Sequence, residues 1–83
     1  RLPVQTLKID KSFIDRILET GANKTIINTI VDMAHQMNMV VVAEGVETEE
    51  QLKFLAGSHC DFAQGYLFSR PAPEAEALRL LVP

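Results

Sequence analysis

Hydrophobic and polar positions follow a strand-like pattern in three short stretches of the chain. Residues 6–10 alternate with a period of two, placing the apolar side chains on one face and the polar ones on the other. Residues 39–43 form a continuous apolar run rich in valine, which is typical of a parallel strand covered on both faces. Residues 60–64 give a third, weaker strand pattern. We therefore predict three strands at these places.

Between these stretches apolar side chains recur every three or four residues, as in amphipathic helices. A short helix is predicted after the first strand, with Ser12 as its N-cap and Gly21 as its stop. A longer helix is predicted from a cap at Asn23 to a left-handed turn at Asn38.

Two further helices are predicted in the second half of the chain. Thr48 and Gln51 have the spacing of a capping box, and Gly57 is expected to end the helix that they start. Pro73 suits the first turn of a last helix, which the apolar residues predict as far as Val82.

The order of these elements predicts an α/β fold. Repeated strand–helix units imply a parallel sheet with outer helices and right-handed crossovers. Three units of an eight-unit barrel would need roughly 95 residues. The 83 residues therefore suit about three βα units of a TIM-type barrel. A small open α/β sheet would fit the same pattern, and composition does not separate the two.

Composition and charge narrow the classes of partner. The net charge is −3 and there is no basic block, which argues against binding to a nucleic acid polymer. The longest strongly apolar stretch, residues 40–43, is far short of the ~20 residues of a membrane span. Cys60 is the one cysteine, so an intramolecular disulfide is excluded and a cytoplasmic location is expected.

Polar residues interrupt the predicted strands at their carboxyl ends. Lys8 and Asp10 share one face of the first strand, Glu44 ends the second strand, and Gln64 ends the third. In α/β folds ligands bind at this edge of the sheet. Each residue alone is consistent with an ordinary strand-terminal polar group. Together they predict a cation, two carboxylates and an amide around one pocket.

Other candidate groups have simpler explanations. His35 lies near a predicted helix end, where the helix dipole favours it. His59 and Cys60 are adjacent, but no second Cys or His pair stands at zinc spacing, so a structural role is expected. Gly45 and Gly65 are expected to be turn glycines.

Three segments in register resemble a known family. Residues 7–14 (LKIDKSFI), 42–48 (VAEGVET) and 64–71 (QGYLFSRP) look like the last three signature segments of the EAL domain. EAL domains are bacterial cyclic di-GMP phosphodiesterases that fold as a modified TIM barrel. The resemblance implies that residues 1–83 are the C-terminal part of one such domain, with strands six to eight and their helices. The implied product is the linear dinucleotide.

The resemblance also implies roles for matching positions. Lys8 resembles the lysine that contacts the metal-bound water or phosphate, and Asp10 resembles the aspartate that helps to hold that site and the substrate. Glu44 resembles a glutamate of the metal and water site, described as a metal ligand or as a base. Glu47 resembles a second glutamate that supports the loop. Gln64 resembles the glutamine that lines the substrate pocket.

The implied cofactor is Mg²⁺ or Mn²⁺, both of which favour oxygen ligands. The resemblance places the family's signature Glu-Ala-Leu motif and most of its metal ligands upstream of Arg1, outside the 83 residues; the tripeptide at residues 76–78 follows the three matching segments and is not that motif. We therefore expect this chain alone to be inactive. The alternative is a catalytically degenerate domain that acts as a cyclic di-GMP receptor or regulatory interaction module.

Partners are implied on the same basis. They are cyclic di-GMP and an upstream sensor or diguanylate cyclase domain. Separately, the two open edges of three parallel strands predict that this chain alone forms a homodimer or other oligomer, swaps elements or folds poorly. No membrane contact is expected from this segment, although the larger protein can be tethered to a membrane.

Overall fold

The computed structural model of the protein describes residues 4–65 and 77–81. Its elements follow one another in the order β1 (Gln5–Ile9), α1 (Lys11–Ile14), α2 (Gly21–Gln36), β2 (Met39–Glu44), α3 (Glu49–Gly57), β3 (Phe62–Gly65) and β4 (Ala77–Leu80). The four strands form one sheet in the order β1-β2-β3-β4. The first three run parallel, as predicted, and β4 is antiparallel to β3.

One face of the parallel sheet forms the hydrophobic core. Ile9, Ala43 and Ala63 are in register on the three strands, and all three are buried. Ile14, Ile27, Val31 and Leu55 from the helices are fully buried in the same cluster. The helices therefore cover this face, in agreement with the predicted parallel strands with outer helices.

The first turn after β1 differs from the prediction. Asp10, not Ser12, caps α1, because its carboxylate accepts the Ser12 N–H at 2.9 Å. The helix has only four residues, and turns follow it up to residue 19. Ile17 is nevertheless buried in these turns. The segment thus contributes a side chain to the core although it is not helical throughout.

The ends of the two longer helices are set by their caps. Thr20, not Asn23, caps α2, and its hydroxyl accepts the Asn23 N–H at 3.1 Å. Gly21 is consequently the first residue of α2 and does not stop the preceding helix. Asn38 adopts φ = 63°, which confirms the predicted left-handed turn. The capping box of Thr48 and Gln51 is also confirmed.

The prediction of a last helix up to Val82 is wrong where the structure describes the segment. Residues 77–80 form β4, while residues 73–76 and 82 lie outside the described part of the chain. The physical reason is the free edge of β3, whose backbone groups need partners. β4 supplies them along the whole of β3, from Phe62 opposite Leu80 to Gly65 opposite Ala77.

Cys60 lies two residues before β3 and is fully buried. Its thiol is within hydrogen-bond distance of the carbonyl oxygens of Val41 (3.5 Å) and Phe62 (3.4 Å). Burial raises the pKa of the thiol from 9.0 to about 11. The thiolate is the reactive form, so the native thiol is protected from alkylation.

The raised pKa of Cys60 predicts that the protein loses stability at high pH. Between about pH 9 and 11 the native thiol keeps its proton while the unfolded thiol loses it, so stability falls as pH rises through this window. The slope from this group is at most about 1.4 kcal/mol per pH unit. Urea unfolding of the wild type and of Cys60→Ala should show a steeper loss above pH 9 in the wild type. Equal slopes would contradict this assignment.

Candidate functional site

The sheet face opposite the core carries the polar residues singled out in the sequence. Lys8, Val42 and Phe62 are in register across β1, β2 and β3. Glu44 and Gln64 are in register two residues further along their strands. Residues in register on parallel strands point to the same face, so Lys8, Glu44 and Gln64 share it. Asp10 follows the end of β1 at the same edge.

Lys8 and Glu44 form an ion pair on this face. The Lys8 Nζ is 3.8 Å from the Glu44 Oε2, and the two side chains are 65% and 33% exposed. An exposed pair of this kind contributes only about 0–1 kcal/mol to stability. The pair therefore contributes little to folding stability, while its two charges remain accessible to a ligand.

Asp10 has a structural role that the sequence analysis did not anticipate. Its Oδ2 accepts both the backbone N–H and the hydroxyl of Ser12, the latter at 2.5 Å. These hydrogen bonds lower the pKa of the Asp10 carboxyl below 3.8, so the group is ionised at neutral pH. Its negative charge stands at the edge shared by the other three residues.

The loop that follows Glu44 is fixed from several sides. The Val46 N–H donates to the Gln64 carbonyl oxygen at 3.0 Å, and Val46 is fully buried. The N–H groups of Glu47 and Thr48 donate to the Gln51 Oε1 at 2.8 and 3.2 Å. These contacts join the ends of β2 and β3 to the start of α3.

Lys11 is a contact residue of this loop that the sequence analysis missed. Its Nζ is 3.6 Å from the Glu47 Oε2 and 2.9 Å from the Asp15 Oδ2. The Asp15 hydrogen bond is the main cause that raises the pKa of Lys11. The spacing of four residues between Lys11 and Asp15 indicates their pairing, but no sequence signal indicates the contact with Glu47.

The other titratable candidates lie away from this edge. The His35 Nε2 is 2.7 Å from the Asp61 Oδ2, which also accepts the Val41 N–H at 2.8 Å. Asp61 directly precedes β3, at the amino-terminal side of the sheet. The interpretation of His35 as a helix-end residue was therefore incomplete, since it links α2 to the segment before β3.

The described residues do not form a metal centre by themselves. No group of three His, Cys, Asp or Glu residues within 4–65 and 77–81 is arranged to hold a metal ion. Glu44 offers one carboxylate, and Asp10 already accepts two hydrogen bonds from Ser12.

Within residues 4–65 and 77–81, no helix combines the length and apolar character needed to cross a bilayer.

The class of protein follows from comparison with known sequences. The sequence profile of the EAL domain matches residues 1–71, so the chain belongs to the EAL domain family. It is 51% identical over 75 residues to the cyclic di-GMP phosphodiesterase NbdA of Pseudomonas aeruginosa. That alignment covers 90% of this chain and 10% of NbdA. The chain thus spans about a tenth of the length of this relative.

Solved structures show the same fold. The phosphodiesterase MucR of Pseudomonas aeruginosa, in complex with cyclic di-GMP, aligns at a TM-score of 0.75 and 40% identity. This match covers 88% of the chain and 30% of the MucR structure. BlrP1 of Klebsiella pneumoniae, in a complex with manganese and cyclic di-GMP, aligns at a TM-score of 0.74 and 29% identity. This match covers 94% of the chain and 19% of the BlrP1 structure. The predicted α/β fold, a part of a TIM-type barrel, is confirmed.

Proposed function

We propose that this chain is the C-terminal part of an EAL domain, spanning residues 1–83, in a metal-dependent cyclic di-GMP phosphodiesterase. The observation that supports this most strongly is the Lys8–Glu44 pair, 3.8 Å apart at the carboxyl ends of two parallel strands. Both residues lie within residues 1–71, the range that the EAL domain profile matches. The reaction would open one phosphodiester bond of cyclic di-GMP with water and release the linear dinucleotide.

Each residue has a role that its chemistry supports. The Lys8 ammonium would stabilise the negative charge that develops on the phosphate oxygens. The Glu44 carboxylate would hold a metal ion or accept a proton from the attacking water. The Gln64 amide and the Asp10 carboxylate would bind the substrate, and Glu47 would support the loop through its contact with Lys11.

A divalent cation, Mg²⁺ or Mn²⁺, would supply charge stabilisation and water activation when bound. The described residues offer it the Glu44 carboxylate and no complete ligand set. Its remaining ligands would come from the part of the domain that precedes this chain. The BlrP1 complex with manganese and cyclic di-GMP supports the choice of a divalent ion.

The complete domain and the 83-residue chain should therefore differ in activity. With Mg²⁺ or Mn²⁺, the full-length polypeptide that contains this chain should convert cyclic di-GMP to the linear dinucleotide, and the chain alone should not. Hydrolysis is followed by chromatography of the nucleotides. Turnover by the chain alone would contradict the proposal, while binding without turnover by the full-length polypeptide would favour the receptor alternative.

Oligomerisation is part of the same proposal. In the described part of the chain β1 pairs on one side only, with β2, and such an edge invites a further strand. We infer that the isolated chain self-associates through this edge and that the complete domain forms a homodimer or other oligomer. Light scattering after gel filtration of the same two samples measures this, and a monodisperse monomer of the chain alone would count against it.

The remaining partners and the location are proposed from the family. An upstream sensor or diguanylate cyclase domain would regulate hydrolysis, as the name of MucR, a bifunctional diguanylate cyclase and cyclic di-GMP phosphodiesterase, illustrates for that protein. Because cyclic di-GMP is a bacterial second messenger, the active domain would lie in the cytoplasm.

A further inference from the structure

The Lys11 side chain lies directly against the backbone of Gly45, the residue that follows Glu44. A Cβ added to Gly45 would be 2.3 Å from the Cγ of Lys11, 2.6 Å from its Cβ and 2.8 Å from its Cδ. Gly45 also adopts φ = 74°, which favours glycine. The aliphatic stem of Lys11 thus occupies the space that any other residue at position 45 would need.

The ammonium of Lys11 is held in place at the far end of that stem. Both carboxylate oxygens of Asp15 accept hydrogen bonds from it, at 3.1 and 2.9 Å, while the Glu47 Oε2 is 3.6 Å away. Asp15 belongs to the turn after α1, and Glu47 belongs to the loop after β2. One side chain therefore joins the segments that follow two neighbouring strands.

Lys11 lies next to residues of the candidate site at both ends of this link. Lys11 is the first residue of α1 and directly follows Asp10, whose side chain is fixed by Ser12. The contact with Gly45 is one residue away from Glu44. Because the ion pairs of Lys11 are about half exposed, solvent screens them and they contribute little to folding stability. The main effect of these ion pairs is therefore to fix the position of the loop after β2.

We propose that Lys11 is a positioning residue that fixes the loop directly after Glu44, through its stem on Gly45 and its ammonium at Glu47. This inference rests on the proposed function for its effect on catalysis. The geometric part, the fixing of the loop, is independent of that function. It can be tested on the Val46 amide, whose N–H donates to the Gln64 carbonyl across the same loop.

The test uses three variants of the full-length polypeptide that contains this chain. Lys11→Ala removes the stem and the charge, Lys11→Met keeps most of the stem, and Lys11→Arg keeps both features. Lys53→Ala is the matched control, because Lys53 is exposed on α3 and makes no ion pair within residues 4–65 and 77–81.

The exchange rate of the Val46 amide hydrogen measures directly how firmly the loop is held. In Lys11→Ala the Val46 amide should exchange about tenfold faster, while the amides of Ile27 and Val31 in α2 keep their wild-type rates. Lys11→Met should show a smaller increase, and Lys11→Arg and Lys53→Ala should match the wild type. An unchanged Val46 rate in Lys11→Ala, or equal acceleration throughout the chain, would overturn the proposal.

Steady-state kinetics measures the catalytic consequence. Lys11→Ala should lower kcat for cyclic di-GMP about tenfold with little change in KM, because small misplacements of a catalytic group cost up to about 10²-fold. Lys11→Arg should restore most of the activity. If the wild type does not hydrolyse cyclic di-GMP, the proposed function fails, and the exchange rates still decide the role of Lys11. Wild-type kcat in Lys11→Ala beside a faster Val46 amide would overturn the catalytic part alone.

Discussion

Replacement of Glu44 by glutamine should lower kcat for cyclic di-GMP hydrolysis by about 10³-fold, the range seen when one preorganised electrostatic group is removed from a catalytic site. Glutamine keeps the shape of the side chain but has no negative charge with which to hold a cation or accept a proton. The rate is measured on the full-length polypeptide with saturating Mg²⁺ and substrate. The loss should appear in kcat and not in folding, because the Glu44–Lys8 pair is partly exposed.

Glu50→Gln is the matched control for this substitution. Glu50 is exposed in the first turn of α3 and is likewise a glutamate close to the loop. It should retain wild-type kcat, and both variants should have thermal unfolding midpoints close to that of the wild type. Wild-type activity in Glu44→Gln would refute the assignment of Glu44. A large drop in its unfolding midpoint would show that the residue is needed for folding.

Replacement of Gly65 by alanine should destabilise the fold by about 3 kcal/mol, since overpacking of a close contact costs this much when the neighbour cannot yield. The added Cβ would lie 2.3 Å from the Val46 carbonyl oxygen and 2.5 Å from the Val46 nitrogen. Both are backbone atoms of a buried loop residue, and the Val46 N–H is bonded to the Gln64 carbonyl. Urea unfolding of the full-length polypeptide measures the effect.

Gly57→Ala provides the comparison within the same chain. A Cβ at Gly57 would have no neighbour within 4 Å, and the residue ends α3 without a positive φ. Alanine there should stabilise the protein by about 0.5 kcal/mol, because it restricts the unfolded chain more than glycine does. If the two substitutions had the same effect, the close approach of Gly65 to Val46 would not be a determinant of stability.

The parallel strands were predictable because their signals are local. The period-2 alternation in β1 and the valine run in β2 depend only on residues next to one another in sequence. The capping box at Thr48 and the left-handed turn at Asn38 are equally local. Polar residues at strand ends then indicated the edge of the sheet at which Lys8 and Glu44 meet.

The errors occurred where two local signals compete or where a distant contact decides. Asp10 and Ser12 both suit an N-cap, as do Thr20 and Asn23, and the backbone geometry after β1 and before α2 selected the first of each pair. The segment predicted to be the last helix includes β4, because the edge of β3 offers unpaired backbone groups. These unpaired groups belong to β3, so the sequence of residues 77–80 does not reveal them.

The amino-acid sequence by itself determined the secondary-structure type of the core elements and the residues available for chemistry, since periodicity and side-chain type are local properties. Only the tertiary structure decided which side chains meet. It placed Lys11 on Gly45, Gly65 against Val46, and His35 beside Asp61. Each of these contacts joins residues far apart in sequence, and its geometry depends on how neighbouring strands and their loops are packed together.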